Sequence, residues 1–171
     1  MAGKKKAPFV LKSPNFRDGG TIGMEHVFNS FGCTGQNRSP ALSWSGAPEG
    51  TRSFALLCHD PDAPTGGAGW WHWLVLNIPA HVTMLAKDAG RADGAGLPAG
   101  AVHVNTDFGG PGWGGPCPPV GDKPHRYIFT LYALKVDKLD ATGGTASLAG
   151  YMVNGNTIAR TRLTGKFGRK K

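Results

Sequence analysis

The chain has 171 residues and a formal net charge of +8, with 27 glycines and 13 prolines spread along its length. A domain of this size buries roughly two-thirds of the surface that its unfolded chain exposes, so neither a disulfide framework nor a structural metal is needed to explain its stability. The many turn-forming residues argue against long helices and favour a single, mainly β domain.

The positive charge is concentrated at the two ends of the sequence. Seven of the 19 basic residues lie there, which leaves 12 basic residues against 11 acidic ones in the body of the chain. The seven are Lys4, Lys5, Lys6, Lys166, Arg169, Lys170 and Lys171. We expect short, disordered basic tails at about residues 1–7 and 166–171 of one domain spanning residues 1–171, with weak attraction to polyanions as the alternative. The nearly neutral body predicts no specific nucleic-acid partner.

The sequence contains no targeting signal that we recognise. No stretch before Phe31 has the apolar core of a signal peptide, and no apolar run is long enough to span a membrane, so we expect a cytoplasmic location. The three cysteines, Cys33, Cys58 and Cys117, are far apart and form no CxxC pair. We expect reduced thiols, two of them buried as small hydrophobic side chains.

Two apolar segments in the first half of the chain have the pattern of strands. RSFALLCHD, residues 52–60, alternates so that Asp60 ends the strand on one face and His59 points to the other. WWHWLVLNI, residues 70–78, predicts a second strand in which His72 lies opposite the tryptophans that flank it. Their nearly continuous apolar character indicates central strands that are covered on both faces.

The second half of the chain predicts one more central strand and little helix. HRYIFTLYAL, residues 125–134, is rich in aromatic and β-branched residues, as strands are. TMLAKDAG predicts a short turn ending at Gly90, and residues 146–160 predict one C-terminal helix, weakened by Gly150 and Gly155. We therefore expect a β-sandwich with one or two peripheral helices.

Polar residues gather where the predicted strands begin and end. Asp60 ends the first strand and His72 begins the second, so a hairpin-like return brings both to one end of the sheet. The loop GGPCPPVGDKP, residues 114–124, leads into His125 at the start of the third strand. Prolines fix the backbone and glycines allow close approach, so this loop holds backbone N–H groups in a preset concavity. The sequence therefore predicts a binding site at this end.

Each of these features also has a purely structural explanation. Aspartates in DPDAP are common turn formers, a lone His72 can be a satisfied core histidine, and the proline loop can be a stiff connection. A metal site is disfavoured because His59 points away from Cys58 and Asp60, which leaves too few convergent ligands among the candidates Cys58, His59, Asp60, His72 and His125. A binding site is favoured over these structural explanations because three such elements occur together at the ends of predicted strands.

An enzyme is the main alternative to a binding protein. Asp60 and His72 with a nearby serine would imitate a hydrolase triad, but the sequence has no GxSxG motif. Cys117, eight residues before His125, is a candidate nucleophile for a thiol-dependent enzyme. The cysteine pattern supplies no evident general acid for a leaving group, and we expect a binding protein.

The segment GQNRSPALSWSGAPEGTRSFALLCHDPDAPTGGAGWWHWLVLNIPA, followed by GPCPPVGDKPHRYIFTLYAL, closely resembles the phosphatidylethanolamine-binding proteins. The similarity is to their bacterial and archaeal Raf-kinase-inhibitor-like branch and extends over about residues 13–169. It implies a single, mainly β domain, a two-sheet antiparallel Greek-key-type β-sandwich with one or two short peripheral helices. Its small end pocket would accept phosphate or a phosphoryl head-group without a cofactor. It also implies a non-catalytic role as inhibitor or scaffold of a kinase or protease, whose identity the sequence does not give.

The resemblance also assigns residues to that pocket. Carried onto this chain, the pocket residues of the family are Asp60, Asp62, Pro64, Trp70, His72, Gly115, Cys117, Pro118, Pro119, His125 and Tyr127. Eukaryotic members often carry histidine at the position of Trp71, so this pocket has one imidazole fewer and a more apolar wall. Bacterial relatives are often dimeric, and we expect Trp71 and Trp113 to form either a ligand rim or a homodimer contact.

An anion in a pocket with two aspartates needs a local reversal of charge. We expect one carboxylate to raise the pKa of a histidine and the other to cap the turn through backbone N–H groups. The ligand would then meet His72 or His125 together with the loop amides. On this account, affinity falls as the pH rises through the histidine pKa.

Overall fold

The computed structural model describes residues 3–171, so Met1 and Ala2 of the predicted N-terminal tail lie outside the described residues. Two antiparallel sheets have the strand orders β1-β2-β5 and β6-β4-β3-β7-β8. The expected mainly β fold is confirmed, with one short helix. The elements are β1 (Val10–Lys12), β2 (Leu42–Ser45), β3 (Ser53–Asp60), β4 (Trp70–Pro79), β5 (Met84–Leu85), β6 (Val102–His103), β7 (His125–Leu134), α1 (Ala146–Asn156) and β8 (Thr157–Phe167).

The three predicted strands are the centre of the larger sheet. β3 pairs with β4 on one side and with β7 on the other, and nearly every residue of β3 is buried. Phe54 and Phe129 pack in the core between the two sheets, whereas Leu57 and Leu74 face α1 on the outer side. Each such side chain contributes about 1.5–3 kcal/mol when it leaves water. The prediction of central strands covered on both faces is confirmed.

Strand β4 departs from simple alternation at His72. Cys58 pairs with Trp73, but the next residue of β3, His59, pairs with Trp71, so His72 is an extra residue in β4. Such a bulge re-aims a side chain. His72 therefore faces the same side as Trp73, not the opposite side as alternation predicts, and this places the imidazole at the end of the inter-sheet core.

The C-terminal part of the chain differs most from the prediction. Helix α1 starts at the cap Thr145, whose side chain accepts a hydrogen bond from the backbone N–H of Leu148, and it ends at Asn156. The following residues, 157–167, form the edge strand β8, which the sequence did not predict. α1 has eleven residues, so no helix in the described residues is long enough to cross a membrane.

The predicted disordered tail at residues 166–171 is wrong for its first part. Lys166 and Phe167 belong to β8, and the carbonyl of Arg169 accepts a hydrogen bond from the backbone N–H of Gly121 at 2.9 Å. Lys166 and Phe167 are ordered because β8 pairs with β7 along the whole length of β7, from Leu134 to His125.

Cys33 and Cys117 form a disulfide bond, which corrects the expectation of three reduced thiols. The two are 84 residues apart in sequence, and only the fold brings their loops together. The loops are also joined by a 3.0 Å hydrogen bond from the Phe28 N–H to the Pro116 carbonyl. Cys58 is free and fully buried, as expected of a small hydrophobic side chain.

Candidate functional site

A cavity of about 290 Å³ lies at the end of the larger sheet, where β3 ends and β4 and β7 begin. The structure brings nine of the eleven predicted site residues into its wall: Asp60, Pro64, Trp70, His72, Cys117, Pro118, Pro119, His125 and Tyr127. The remaining wall residues, which were not predicted from the sequence, are Phe31, Ala63, Thr65 and Phe108. Asp62 and Gly115 lie outside the wall.

Asp60 performs both of the tasks that the sequence analysis divided between two aspartates. Its Oδ2 accepts a hydrogen bond from His125 Nδ1 at 2.7 Å, and its Oδ1 accepts one from the backbone N–H of Asp62 at 2.8 Å. The carboxylate is almost completely buried. A single side chain therefore both caps the turn after β3 and pairs with a histidine.

His125 is held between two carboxylates. Burial lowers its pKa, but the hydrogen bonds to Asp60 and to Asp122, whose Oδ2 lies 3.0 Å from Nε2, outweigh this effect. The pKa is raised, which agrees with the expectation that a carboxylate keeps a pocket histidine charged. Both ring nitrogens are engaged, however, so His125 has no free N–H for a ligand in this arrangement, and its predicted contact with a ligand stays a prediction.

Asp62 binds Arg126 rather than lining the pocket. It accepts hydrogen bonds from the backbone N, Nε and Nη2 of Arg126 at 2.9, 2.9 and 2.8 Å. The side-chain hydrogen bonds with Arg126 lower the pKa of Asp62 to about 2. Asp62 thus fixes the start of β7, and the prediction that it contacts the ligand is not supported by its position.

Gly115 is a packing position. A Cβ there would lie 2.0 Å from the carbonyl oxygen of His26, so only glycine lets the proline loop approach that segment. Its N–H donates to Asn37 Oδ1 at 2.8 Å, and the N–H of Gly114 donates to the His72 carbonyl at 2.9 Å. These two loop amides are therefore occupied, contrary to the expectation that they await an anion.

His72 is neutral in this environment. Its Nδ1 donates to the carbonyl oxygen of Gly114, so Nδ1 carries the hydrogen and Nε2 is left as an acceptor. Burial lowers the pKa of His72 to about 4, although the Gly114 carbonyl and Asp60 act in the opposite direction. The edge of the ring packs against Tyr127 at a centroid distance of 5.0 Å.

Aromatic side chains form the rest of the pocket wall. Phe108 contacts Phe31 and Trp70 at centroid distances of 6.1 and 5.3 Å, and it also contacts His72. Phe31 and Phe108 come from glycine-rich loops without strand or helix periodicity. Only their position before a glycine, in SFG and DFG, distinguished them in the sequence.

Two buried hydrogen-bond donors in this wall have no partner among residues 3–171. They are Tyr127 Oη and Trp70 Nε1; a third such atom, Trp44 Nε1, belongs to the inter-sheet core. Burial and the nearby Asp60 raise the pKa of Tyr127, so its hydroxyl keeps its hydrogen. Each unpaired buried donor costs about 1–3 kcal/mol. A ligand that brings acceptor oxygens would recover this energy.

The structure also bears on the predicted roles of three other residues, a candidate nucleophile, a candidate subunit contact and a histidine of β3. Cys117 is disulfide-bonded and is no thiol nucleophile in this state. Trp113 is only 5% exposed, and its indole N–H donates to the His26 carbonyl, so it is not an exposed subunit contact. His59 lies on the opposite face from Asp60, as alternation predicted, and packs on Trp71.

The profile of the phosphatidylethanolamine-binding protein family matches residues 12–168. Among curated proteins, the UPF0098 protein YbcL of Escherichia coli K12 is 54% identical over 159 residues, 92% of this chain and 86% of YbcL. YbhB of the same strain is 42% identical over 158 residues, 92% of this chain and 98% of YbhB. The curated relatives therefore match nearly the whole chain.

Solved structures agree with these sequence matches. The crystal structure of Escherichia coli YbcL, described as a new member of the mammalian PEBP family, superimposes with a TM-score of 0.92 at 52% identity, covering 95% of this chain and 99% of YbcL. The phosphatidylethanolamine-binding protein homologue CT736 of Chlamydia trachomatis gives 0.80 at 33% identity, covering 96% and 99%.

Proposed function

This chain belongs to the phosphatidylethanolamine-binding protein family, and from that premise we propose that it is a non-catalytic binding protein whose pocket takes a small ligand with a phosphate or phosphoryl head-group. The observation that carries the proposal is that two residues lining one small pocket each have a buried donor without a partner, Tyr127 Oη and Trp70 Nε1. Hydrogen bonds to a charged acceptor contribute about 1.5–3 kcal/mol each. Phosphoryl oxygens are such acceptors.

The rest of the pocket suits a zwitterionic ligand such as phosphoethanolamine. Phe31 and Phe108 are aromatic residues of the wall, and a cation over an aromatic ring is stabilised by about 0.5–2 kcal/mol. Asp60, another residue of the wall, adds a negative charge that His125 partly compensates. An ammonium group would therefore lie towards the aromatic wall, and the phosphoryl group towards the two free donors.

Neutral His72 makes one proton part of the binding reaction. A phosphate monoester changes from monoanion to dianion near pH 6, and only the monoanion has a hydroxyl that can donate to His72 Nε2. A dianion would have to bind with uptake of a proton by His72. Both routes predict stronger binding in mild acid, as the sequence analysis expected, but through a neutral histidine in the free protein.

A hydrolase or thiol-dependent enzyme that uses His72, His125 and Cys117 is the alternative. Cys117 enters such chemistry only after its disulfide with Cys33 is reduced, and both ring nitrogens of His125 are engaged by carboxylates. The proposal predicts no release of inorganic phosphate when O-phosphoethanolamine is incubated with the protein. Action on a kinase or protease, as inhibitor or scaffold, remains a prediction.

Calorimetric titration with O-phosphoethanolamine at mildly acidic pH tests the proposal. Tyr127→Phe should weaken binding by roughly tenfold to a hundredfold, because a donor to a charged acceptor is lost. The same substitution should not lower the free energy of unfolding, because the hydroxyl has no partner in the free protein.

Tyr132→Phe is the matched control. Tyr132 lies in the same strand but packs on the outer face of the sheet, away from the pocket. Its loss of a hydroxyl should leave the affinity unchanged. Equal affinities for the wild type and Tyr127→Phe would contradict the proposal.

A further inference from the structure

The larger sheet ends in strand β8, and the chain itself covers one part of the outer edge of this strand. The carbonyl of Thr164 accepts a hydrogen bond from the N–H of Gly19 at 2.7 Å, and the N–H of Thr164 donates to Asp18 Oδ1 at 2.9 Å. The N–H and carbonyl groups of Lys166 pair with the same segment, residues 18–22. This part of the edge therefore already holds a strand-like segment that carries a carboxylate.

The rest of the edge has no such cover. Alternate residues of a strand direct their backbone groups to the same side. Thr164 and Lys166 point away from β7, and the register from residue 159 to residue 167 is regular, so Arg160 and Arg162 also point away from β7. Among residues 3–171, no backbone group pairs with the outward N–H and carbonyl groups of these two arginines.

The uncovered part of the edge is positively charged. Arg160 and Arg162 are exposed and lie opposite Tyr132 and Thr130 of β7, so both arginine side chains belong to the same face of the sheet. Neither arginine has a carboxylate within 4 Å among residues 3–171. Two residues of a strand span about 7 Å, which is also the spacing of alternate side chains in an extended peptide.

These charges disfavour a second copy of this chain as the partner of the edge. If β8 paired antiparallel with β8 of another copy, the arginines of the two copies would face one another. Like charges directly opposite each other destabilise a pair of strands, and charged side chains protect edges against self-association. A strand with carboxylates at alternate positions would be attracted instead.

We propose that the free edge of β8, residues 158–162, binds an extended acidic peptide as an added antiparallel strand. Peptide residues opposite Arg160 and Arg162 exchange both backbone hydrogen bonds with them and place their side chains on the same face, so carboxylates belong at these positions. The backbone bonds supply affinity and the carboxylates supply specificity. The edge contains no residue of the pocket wall, so this inference is independent of the proposed function.

Fluorescence anisotropy with a short labelled peptide tests the proposal. A peptide in which threonine and glutamate alternate should bind the wild type, more weakly as salt is added, and a peptide with lysine in place of glutamate should not bind. The double variant Arg160→Glu, Arg162→Glu should bind the glutamate peptide at least roughly tenfold more weakly, because two attractive pairs become repulsive. The same variant should bind the lysine peptide, which also shows that it is folded.

The double variant Lys123→Glu, Lys170→Glu is a control of equal charge. Both lysines are exposed and lie beyond the end of β8 that pairs with His125. Arg162 is five residues, about 17 Å, from that end, whereas charges are screened over about 8 Å at physiological salt. The affinity for the glutamate peptide should therefore change by no more than about twofold.

Backbone methylation of the peptide tests the added strand itself. Methyl groups on the glutamate amides, which face β8, should abolish binding, whereas methyl groups on the threonine amides, which face away, should leave it unchanged. Equal effects of the two methylations, or equal losses in the two double variants, would overturn the proposal. A wild type that binds no peptide and sediments as a dimer that Arg160→Pro dissociates would assign the edge to a second copy, and this too would overturn it.

Discussion

Individual side chains near the pocket combine roles that the sequence suggested separately. Asp60 caps a turn with one oxygen and pairs with His125 through the other, while Asp62, two residues on, binds Arg126 outside the pocket. The motif DPD predicted the chemistry, a carboxylate that raises the pKa of a histidine. It did not predict which aspartate does this, because that depends on where β7 places Arg126.

The low pKa of His72 predicts a loss of stability in acid. The pKa is about 4 in the folded protein and about 6.5 in the unfolded chain, so the unfolded chain takes up a proton first as the pH falls. Stability from the neutral imidazole is fully present above about pH 6.5 and is lost towards pH 4, by about 3 kcal/mol in total. His125 has a raised pKa in the folded protein, so its contribution to the free energy of unfolding is present below about pH 6.5 and is lost as the pH rises above that value.

Urea unfolding across this pH range measures the effect. His72→Asn keeps a side-chain N–H for the Gly114 carbonyl but does not titrate. Between pH 6.5 and pH 4, the free energy of unfolding should therefore fall by about 3 kcal/mol less in this variant than in the wild type. His81→Asn changes an exposed histidine and should follow the wild-type curve. Parallel curves for wild type and His72→Asn would show that the buried ring titrates normally.

At the scale of elements, the sequence predicted the centre of the larger sheet and missed its edge. β3, β4 and β7 have long apolar runs because both of their faces are covered. β8 instead carries exposed residues such as Arg160 and Arg162, and it follows directly on a helix whose glycines blur its end. The bulge at His72 could not be predicted from the sequence either, because it depends on how β3 and β4 are paired.

The pocket was predictable where strands carry it and less so where loops do. Asp60, His72 and His125 stand at strand ends that the apolar runs locate, although the face that His72 occupies is set by the bulge in β4. Phe31 and Phe108 reach the pocket through loops placed by tertiary contacts, including the Cys33–Cys117 bond. Nothing in the local sequence fixes such contacts.

The proline loop gives a prediction about close packing. Gly115→Ala should lower the free energy of unfolding by about 1–3 kcal/mol, because the new methyl group would collide with the backbone of residues 26–28. Gly110→Ala is the matched control, since a Cβ there meets nothing within 4 Å. Thermal unfolding of the two variants tests this prediction. Similar unfolding midpoints for Gly115→Ala and Gly110→Ala would show that the proline loop can move aside.

The disulfide gives a second prediction at this scale. A bond that closes a loop of 84 residues stabilises a protein by about 2–4 kcal/mol, chiefly by restricting the unfolded chain. The double variant Cys33→Ser, Cys117→Ser should lose this amount in urea unfolding, and reducing agent should destabilise the wild type but not the variant. A wild type that is insensitive to reductant would contradict a formed disulfide.

At the scale of the whole molecule, segments that are distant in sequence meet at one end of the sandwich. The pocket is enclosed by the segment around Phe31, the turn that joins β3 to β4, the loop of Phe108, and the proline loop with the start of β7, and the C-terminal residues border it. The disulfide also bears on the expected cytoplasmic location, because disulfides persist mainly in oxidising compartments. Trapping of free thiols in intact cells would show whether Cys33 and Cys117 are bonded where the protein works.

The most direct test of the head-group pocket is an NMR titration of the tryptophan indole N–H signals with O-phosphoethanolamine. The five tryptophans provide their own controls, since Trp73 and Trp113 donate to protein acceptors and Trp44, also unpartnered, lies near the other end of the sheet beside Phe54. We predict a saturable downfield shift of the Trp70 indole N–H, larger at mildly acidic than at alkaline pH, while Trp44 stays unchanged. A Trp70 signal that does not move at saturating ligand, or that moves no more than Trp44, would contradict the account.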